Sequence, residues 1–142
     1  MKNQTRQWVK GRIVEDINLD MQILIVDDSI SMRRIVNKFL TNNGFHNLIE
    51  ADNGEKALNI VKKNPIDLII SDLNMPRMDG LEFLKILKND NCTKDIRFIM
   101  LTVEAIQKTM NRAIALNVDS YIVKPITEKM FMDEMLRVVK QK

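Results

Sequence analysis

The sequence predicts an α/β fold in which five parallel strands form one open, doubly wound sheet with helices on both faces. Three observations support this prediction. Short apolar runs alternate five times with apolar residues at helical spacing. The runs are almost continuously apolar, which is typical of parallel strands that are buried on both faces. Five strand-helix units without a repeated motif favour an open sheet, because a closed barrel of this kind needs eight.

The predicted strands cover residues 23–26, 48–49, 66–71, 96–101 and 120–123. Ser29 is the predicted N-cap of the first helix, and Asn43-Gly44 is its predicted end. Apolar residues that would face the sheet follow each strand: Met32, Ile35, Val36, Phe39 and Leu40; Ala57, Leu58 and Val61; Leu81, Leu84 and Leu87; Ile106, Met110, Ala113 and Ile114; and Phe131, Met135, Val138 and Val139.

Length and composition indicate one globular domain. The chain has 142 residues, of which 45% are apolar and 29% charged, so no second catalytic or DNA-binding domain fits. The net charge of +3 is small and the basic residues are scattered, so no nucleic-acid partner is expected. The single cysteine, Cys92, excludes an internal disulfide. No apolar run predicts a signal peptide or membrane insertion, and a cytoplasmic location is expected.

Residues 1–20 differ from the predicted domain, which covers residues 21–142. Val9, Ile13, Val14 and Ile17 would share one face of a helix, but the polarity of the segment and Gly11 argue against a stable one. Met21 stands just before the first predicted strand and could be the native start. The extension could therefore be a tag, a misassigned start or a flexible extension, and a functional arm is an equal alternative.

Three acidic residues follow predicted strands. Asp27 and Asp28 end the first apolar run, and Asp72 ends the third. Ligands bind at the carboxyl ends of the strands in open parallel sheets, so these carboxylates would converge if the two strands are neighbours. Like charges about 4 Å apart repel by roughly 4 kcal/mol at an effective dielectric near 20, so the cluster needs a cation. Oxygen ligands in a shallow, wet site favour Mg²⁺, which often holds a phosphate as well.

Several motifs stand at or near the ends of the predicted strands, namely Asp27-Asp28, Asp72, Met75-Pro76-Arg77-Met78-Asp79-Gly80, Thr102 and Lys124-Pro125. Together they resemble the receiver domain of two-component response regulators, and in particular the stand-alone chemotaxis regulators of the CheY type. The resemblance extends from residue 21 to about residue 139. The resemblance implies the flavodoxin-like strand order 2-1-3-4-5 and a cis Lys124-Pro125 peptide bond.

The resemblance also implies roles for individual residues. Asp72 would be the phosphoacceptor that attacks a phosphohistidine. Mg²⁺ would be bound by Asp28 directly, by Asp27 mainly through water, by Asp72 and by the backbone carbonyl of Asn74. Lys124 would pair with Asp72 at rest and with a phosphoryl oxygen afterwards.

A conformational switch is implied by the same resemblance. The Thr102 hydroxyl would move toward the phosphoryl group, and Tyr121 would then turn inward. The surface formed by the fourth helix, fifth strand and fifth helix would change shape, and Ile106, Lys108, Tyr121 and Lys129 are expected on or near it.

The implied partners are a CheA-like sensor histidine kinase, the flagellar motor switch protein or another output protein, and a possible phosphatase. The protein is expected to be a monomer. It is not expected to be an enzyme, apart from its own phosphorylation and dephosphorylation.

Other functions remain open. A stand-alone receiver in another phosphorelay or signalling pathway would share every site residue. A phosphatase of the haloacid dehalogenase type is less well supported, because its second aspartate would fall at Asn74, which cannot transfer a proton. One position departs from the family pattern: Val103 follows Thr102 where a small residue is usual, and it could narrow access to the phosphoryl group.

Overall fold

The computed structural model describes residues 5–9 and 12–140, with side chains described from residue 17 to residue 140. The strands are β1 (Thr5–Val9), β2 (Arg12–Ile17), β3 (Gln22–Val26), β4 (Asn47–Ala51), β5 (Leu68–Ser71), β6 (Arg97–Thr102) and β7 (Ser120–Val123). The helices are α1 (Ile30–Asn42), α2 (Gly54–Lys63), α3 (Gly80–Lys88), α4 (Gln107–Ala115) and α5 (Glu128–Lys140). None of these helices is both long and apolar enough to cross a bilayer.

Strands β3 to β7 form one parallel sheet in the order β4-β3-β5-β6-β7. Counted within the sheet, this is the predicted order 2-1-3-4-5. The strand of this sheet that comes first along the chain, β3, therefore lies in the interior of the sheet, and β5 is its neighbour. The flavodoxin-like fold is confirmed.

Two hydrophobic clusters cover the two faces of the sheet. Residues along β3 alternate between them: Ile23 and Ile25 belong to one cluster, Leu24 and Val26 to the other. This alternation follows from the two-residue period of a strand, and it explains why the whole strand is apolar. Helices α1 and α5 cover the first face, and α2, α3 and α4 cover the second.

Three residues predicted to face the sheet are exposed instead, namely Ile35 (43%), Ile106 (58%) and Ile114 (59%). In α1, Val36 and Leu40 face the core, and Ile35 lies on the neighbouring row of the helix. Ile106 occupies the N-cap position just before α4, and Ala113 is the only buried residue within that helix. Ala113 belongs to the second hydrophobic cluster, whereas Ile106 and Ile114 lie on the solvent side.

The described part of the N-terminal segment is not helical. Strands β1 and β2 pair antiparallel in a separate two-stranded sheet, and β2 contacts α5. Ile17 is 1% exposed and Leu19 packs against the same cluster, so the buried core begins upstream of Met21. The side chains of Val9, Ile13 and Val14 lie outside the described residues, as does Gly11.

Candidate functional site

Three carboxylates meet at the carboxyl edge of the parallel sheet. Asp27 and Asp28 follow β3, and Asp72 follows β5. These strands are adjacent, with Val26 opposite Ser71, and the Asp72 amide donates to the Val26 carbonyl at 2.8 Å. One carboxylate oxygen from each aspartate lies within 4.8 Å of the others. We call these three residues the acidic cluster, and its formation confirms that the three acids converge.

Lys124 extends into the acidic cluster from the end of β7. Its Nζ donates to Asp27 Oδ2 at 3.1 Å and lies 4.0 Å from Asp72 Oδ1. The predicted resting pair with Asp72 is thus the longer of two contacts. Asp27 and Asp72 are largely buried and close together, so the Lys124 ammonium group interacts with both carboxylates. The Lys124-Pro125 peptide bond is cis, as the resemblance implies.

Asp72 is held in a position that disfavours its charge. Burial raises the pKa of its carboxyl, and the nearby Asp27 raises it further. The Lys124 ammonium, the Thr102 hydroxyl and the Leu73 amide lower this pKa but do not offset the rise. The Leu73 amide donates to Asp72 Oδ1 at 2.8 Å. An added cation would therefore stabilise the ionised form.

The turn after Asp72 is held tightly against the sheet. The Gly80 amide donates to the Leu73 carbonyl at 2.8 Å, and Asp79 caps α3 by accepting from the Glu82 amide at 2.8 Å. A Cβ atom on Gly80 would lie 2.5 Å from the Asp72 carbonyl oxygen, so only glycine fits there. Asn74 is exposed in this turn, beside the acidic cluster in sequence.

Thr102 and Tyr121 lie next to the site on β6 and β7. Thr102 is completely buried, and its hydroxyl accepts from the Glu104 amide at 3.3 Å. The Lys124 amide donates to the Thr102 carbonyl at 2.8 Å, which joins the two strand ends. Tyr121 is half-buried, and its hydroxyl donates to the Glu104 carbonyl at 2.8 Å. The loop at Glu104 therefore connects the two predicted switch residues.

Two contacts in the site are not predicted from the sequence. The Ser29 amide donates to Asp27 Oδ1 at 2.9 Å, and Arg33 Nη1 donates to the Asp27 carbonyl at 2.6 Å. Ser29 also caps α1, as predicted, by accepting from the Met32 amide. The sequence places Arg33 one turn into a helix, but it carries no signal that its side chain turns back toward β3.

The donor set fits a hard divalent cation. The acidic cluster offers only carboxylate oxygens, and Asp28 is exposed, so an ion could enter with some of its water. Lys124 adds one positive charge to three negative ones, so the cluster keeps a net negative charge when all three acids are ionised. Such a site can hold a cation and a phosphoryl group together.

Comparison with known proteins gives the family. The model of the response regulator receiver domain matches residues 23–136, so the chain belongs to that family. It is 39% identical to chemotaxis protein CheY-3 of Vibrio cholerae over 122 residues, which cover 86% of this chain and 94% of that protein. It is 36% identical to chemotaxis protein CheY of Pseudomonas aeruginosa, over 83% of this chain and 95% of that protein.

A solved structure agrees with this assignment. The chemotaxis response regulator CheY4 of Vibrio cholerae superimposes with a TM-score of 0.77 at 34% identity, over 84% of this chain and 98% of that chain. The chain is therefore a CheY-like receiver domain, with chemotaxis named in its relatives. The N-terminal strands β1 and β2 lie outside the matched residues.

Proposed function

We propose that this protein is a chemotaxis response regulator in which Asp72 accepts a phosphoryl group from a sensor histidine kinase in the presence of Mg²⁺. The observation that carries the proposal is the position of Asp72, a largely buried carboxylate between Asp27, Asp28 and Lys124. The names of the relatives support the chemotaxis assignment. The protein acts as a cytoplasmic monomer and is a phosphoacceptor rather than an enzyme.

The acidic cluster and the Asn74 carbonyl would hold the metal, which neutralises charge on the phosphoryl group. An Asp72 carboxylate oxygen forms a bond to phosphorus as the phosphorus–nitrogen bond to the kinase histidine breaks. An imidazole protonated on its other ring nitrogen takes the electron pair and leaves neutral, so no general base is needed. Lys124 moves from Asp27 to a phosphoryl oxygen and compensates the new negative charge.

The output surface would be formed by α4, β7 and α5. Phosphorylation adds about −1.5 to −2 charge and three acceptor oxygens. The Thr102 hydroxyl moves to donate to one of these oxygens, and this movement takes its oxygen away from the Glu104 amide and frees the loop that holds Tyr121. Ile106, Ile114 and Met130 are each more than half exposed and give this surface an apolar character. The flagellar motor switch protein is the expected partner.

The proposal is tested with beryllofluoride, which mimics a phosphoryl group on aspartate. Wild type should bind beryllofluoride only with Mg²⁺, and Asp72→Asn should not bind it. The purified motor switch protein should then bind the activated wild type and not Asp72→Asn. Ile114→Lys should still bind beryllofluoride but should lose the partner, whereas the exposed Ile86→Lys on α3 is the matched control that keeps it.

Other outcomes would select another function. Activation by Mg²⁺ and beryllofluoride without binding to the motor switch protein would favour a stand-alone receiver in a different phosphorelay. Sustained turnover of phosphate esters that requires Asp72 would favour a phosphatase-like enzyme. Failure of wild type to bind beryllofluoride at all would overturn the proposed phosphoacceptor role.

A further inference from the structure

We propose that Arg33 is a positioning residue for the acidic cluster: its guanidinium fixes the peptide group between Asp27 and Asp28 and thereby sets the affinity of the cluster for a divalent cation. The inference rests on the proposed function, because it concerns the Mg²⁺ that phosphoryl transfer to Asp72 requires. Arg33 does not touch the reacting atoms and acts through the backbone.

The guanidinium of Arg33 joins two strands. Nη1 donates to the Asp27 carbonyl at 2.6 Å, and Nε donates to Glu50 Oε1, on β4, at 2.9 Å. The Arg33 side chain is only 14% exposed and its contact with the Asp27 carbonyl is partly buried, whereas Glu50 is 36% exposed and its contact with Arg33 faces solvent. Asn37 adds a longer contact of 3.4 Å to the other oxygen of Glu50. A planar guanidinium with several donors is suited to such a two-sided contact, whereas an ammonium group is not.

The Asp27 carbonyl needs this donor because the strand ladder stops beside it. The Asp27 amide still donates to the Ala51 carbonyl at 3.1 Å. Strand β4 ends at Ala51, however, and Asn53 already caps α2, so the neighbouring chain turns away. An unpaired carbonyl at this largely buried residue would be unfavourable. Arg33 supplies the hydrogen bond that the next residue of a longer strand would have given.

The position of Asp28 depends on this carbonyl. The Asp27 carboxylate is held independently of Arg33, by the Ser29 amide and by Lys124. Asp28 is exposed, so its direction is set mainly by the peptide group that precedes it. Rotation of that peptide group would move Asp28 away from Asp27 and Asp72. Arg33 therefore acts chiefly on the exposed member of the acidic cluster.

The inference is testable because an effect of the Arg33 charge and an effect of Arg33 on the position of Asp28 would change the affinity for Mg²⁺ in opposite directions. A cation near the acidic cluster should oppose the binding of Mg²⁺, so removing its charge should strengthen binding if charge alone matters. If position matters, removal should weaken binding. Arg33→Gln removes the charge, and Arg33→Lys keeps the charge but removes the planar group. Arg34→Gln is the matched control, because Arg34 is the exposed neighbour on the same helix.

The experiment is calorimetric titration of the full chain with Mg²⁺ alone. Both Arg33 variants should bind Mg²⁺ about tenfold more weakly than wild type, as is usual when a group that orients a metal ligand is lost. Arg34→Gln should bind as wild type does, or slightly more tightly. Wild-type or tighter affinity in either Arg33 variant would overturn the inference. If wild type itself binds no Mg²⁺, it is the proposed function that fails.

Two further measurements separate positioning from a general loss of structure. In the metal-free protein, the amide resonances of Asp28 and Ser29 should shift in Arg33→Gln and not in Arg34→Gln, while resonances in α3 and α4 stay unchanged. Glu50→Ala should weaken Mg²⁺ binding in wild type but have little added effect in Arg33→Gln. An equal effect in both backgrounds would indicate that Glu50 acts by charge alone and would contradict the proposed contact.

Discussion

The largely buried position of Asp72 disfavours its ionised form, and a pH dependence of stability follows from this. Burial raises the pKa of its carboxyl in the folded state. A carboxyl with a raised pKa binds its proton more tightly in the folded than in the unfolded chain. The free energy of unfolding therefore falls as pH rises from the ordinary aspartate pKa, about 3.9, through the raised value.

Asp72→Asn should accordingly stabilise the metal-free protein at pH 7. The difference in the free energy of unfolding between Asp72→Asn and wild type should shrink as pH falls toward 4. Added Mg²⁺ should also reduce this difference at neutral pH. Urea denaturation at several pH values measures it. Asp52→Asn is the control of opposite sign, because the pKa of exposed Asp52 is lowered, chiefly by its hydrogen bond with Lys56. A stabilisation by Asp72→Asn that is the same at pH 4 and pH 7 would contradict this account.

Val103 stands where the resemblance implies a small residue. It directly follows the buried Thr102, and its own side chain is 67% exposed. If its branched side chain narrows the path of small phosphodonors, Val103→Ala should increase the rate of labelling by acetyl phosphate severalfold. The control is Val123→Ala, which shortens another exposed valine at the end of β7. An unchanged rate in Val103→Ala would remove any role in access.

Residue positions were predictable where they depend on strand ends alone. Asp27, Asp28 and Asp72 meet because two neighbouring strands stop at the same edge, and apolar runs reveal where strands stop. The shorter contact of Lys124 with Asp27 was not predictable, because it depends on the conformation of a long side chain. The contact of Arg33 with the Asp27 carbonyl was not predictable for the same reason. The helix that carries Arg33 is evident in the sequence, but the direction of its side chain is not.

At the scale of the element, the turn that leads into α3 packs against the backbone of Asp72 and Leu73. Gly80 allows the first turn of α3 to approach the Asp72 carbonyl closely. Gly80→Ala should lower the free energy of unfolding by about 1–3 kcal/mol, since backbone atoms must move to accept the methyl group. It should also weaken Mg²⁺ binding, because the carbonyl that moves belongs to Asp72. Denaturation and Mg²⁺ titration measure the two effects.

Gly44→Ala provides the comparison for that variant. Gly44 has φ of +93° and lies at the end of α1, where a Cβ atom would meet only the flexible side chain of Leu19 at 3.1 Å. Gly44→Ala should lower the free energy of unfolding by about 1–3 kcal/mol through backbone strain, without changing the affinity for Mg²⁺. Equal losses of Mg²⁺ affinity in both glycine variants would indicate a general effect of stability.

Helix faces were predicted less well than strands. The faces of α2, α3 and α5 agree with the helical spacing, because several large apolar residues there pack on the sheet. In α4 the spacing of Ile106, Met110, Ala113 and Ile114 gives the wrong face, since only Ala113 is buried. A helix with exposed apolar residues looks the same in sequence as one whose apolar residues pack on a core.

At the scale of the whole molecule, the hydrophobic core includes a residue upstream of residue 21, where the predicted domain begins. Ile17 is 1% exposed and packs with residues of β3, α1 and α5. A chain that begins at residue 17 should keep this packing, whereas one that begins at Met21 should lose roughly 2–5 kcal/mol of unfolding free energy. Ile17→Ala in the full chain should lose a similar amount. Urea denaturation of all three compares them.

Equal stability of the two truncated chains would contradict the packing role of Ile17.

The two-stranded sheet of β1 and β2 was not predicted, because two short strands in a polar segment leave little periodic signal in the sequence. The five-stranded sheet was predictable because its central strands, β3, β5 and β6, are buried on both faces.

The groups that meet around Asp72 are far apart along the chain: Lys124 and its hydrogen-bonded partner Asp27 are separated by 97 positions. Asp27 and Asp28 come directly after β3, and Lys124 comes directly after β7, so a chain must contain both strand ends to assemble this site. Under the proposed function, a chain that stops before Lys124 would lack the cation beside Asp27 and Asp72 and should not be phosphorylated.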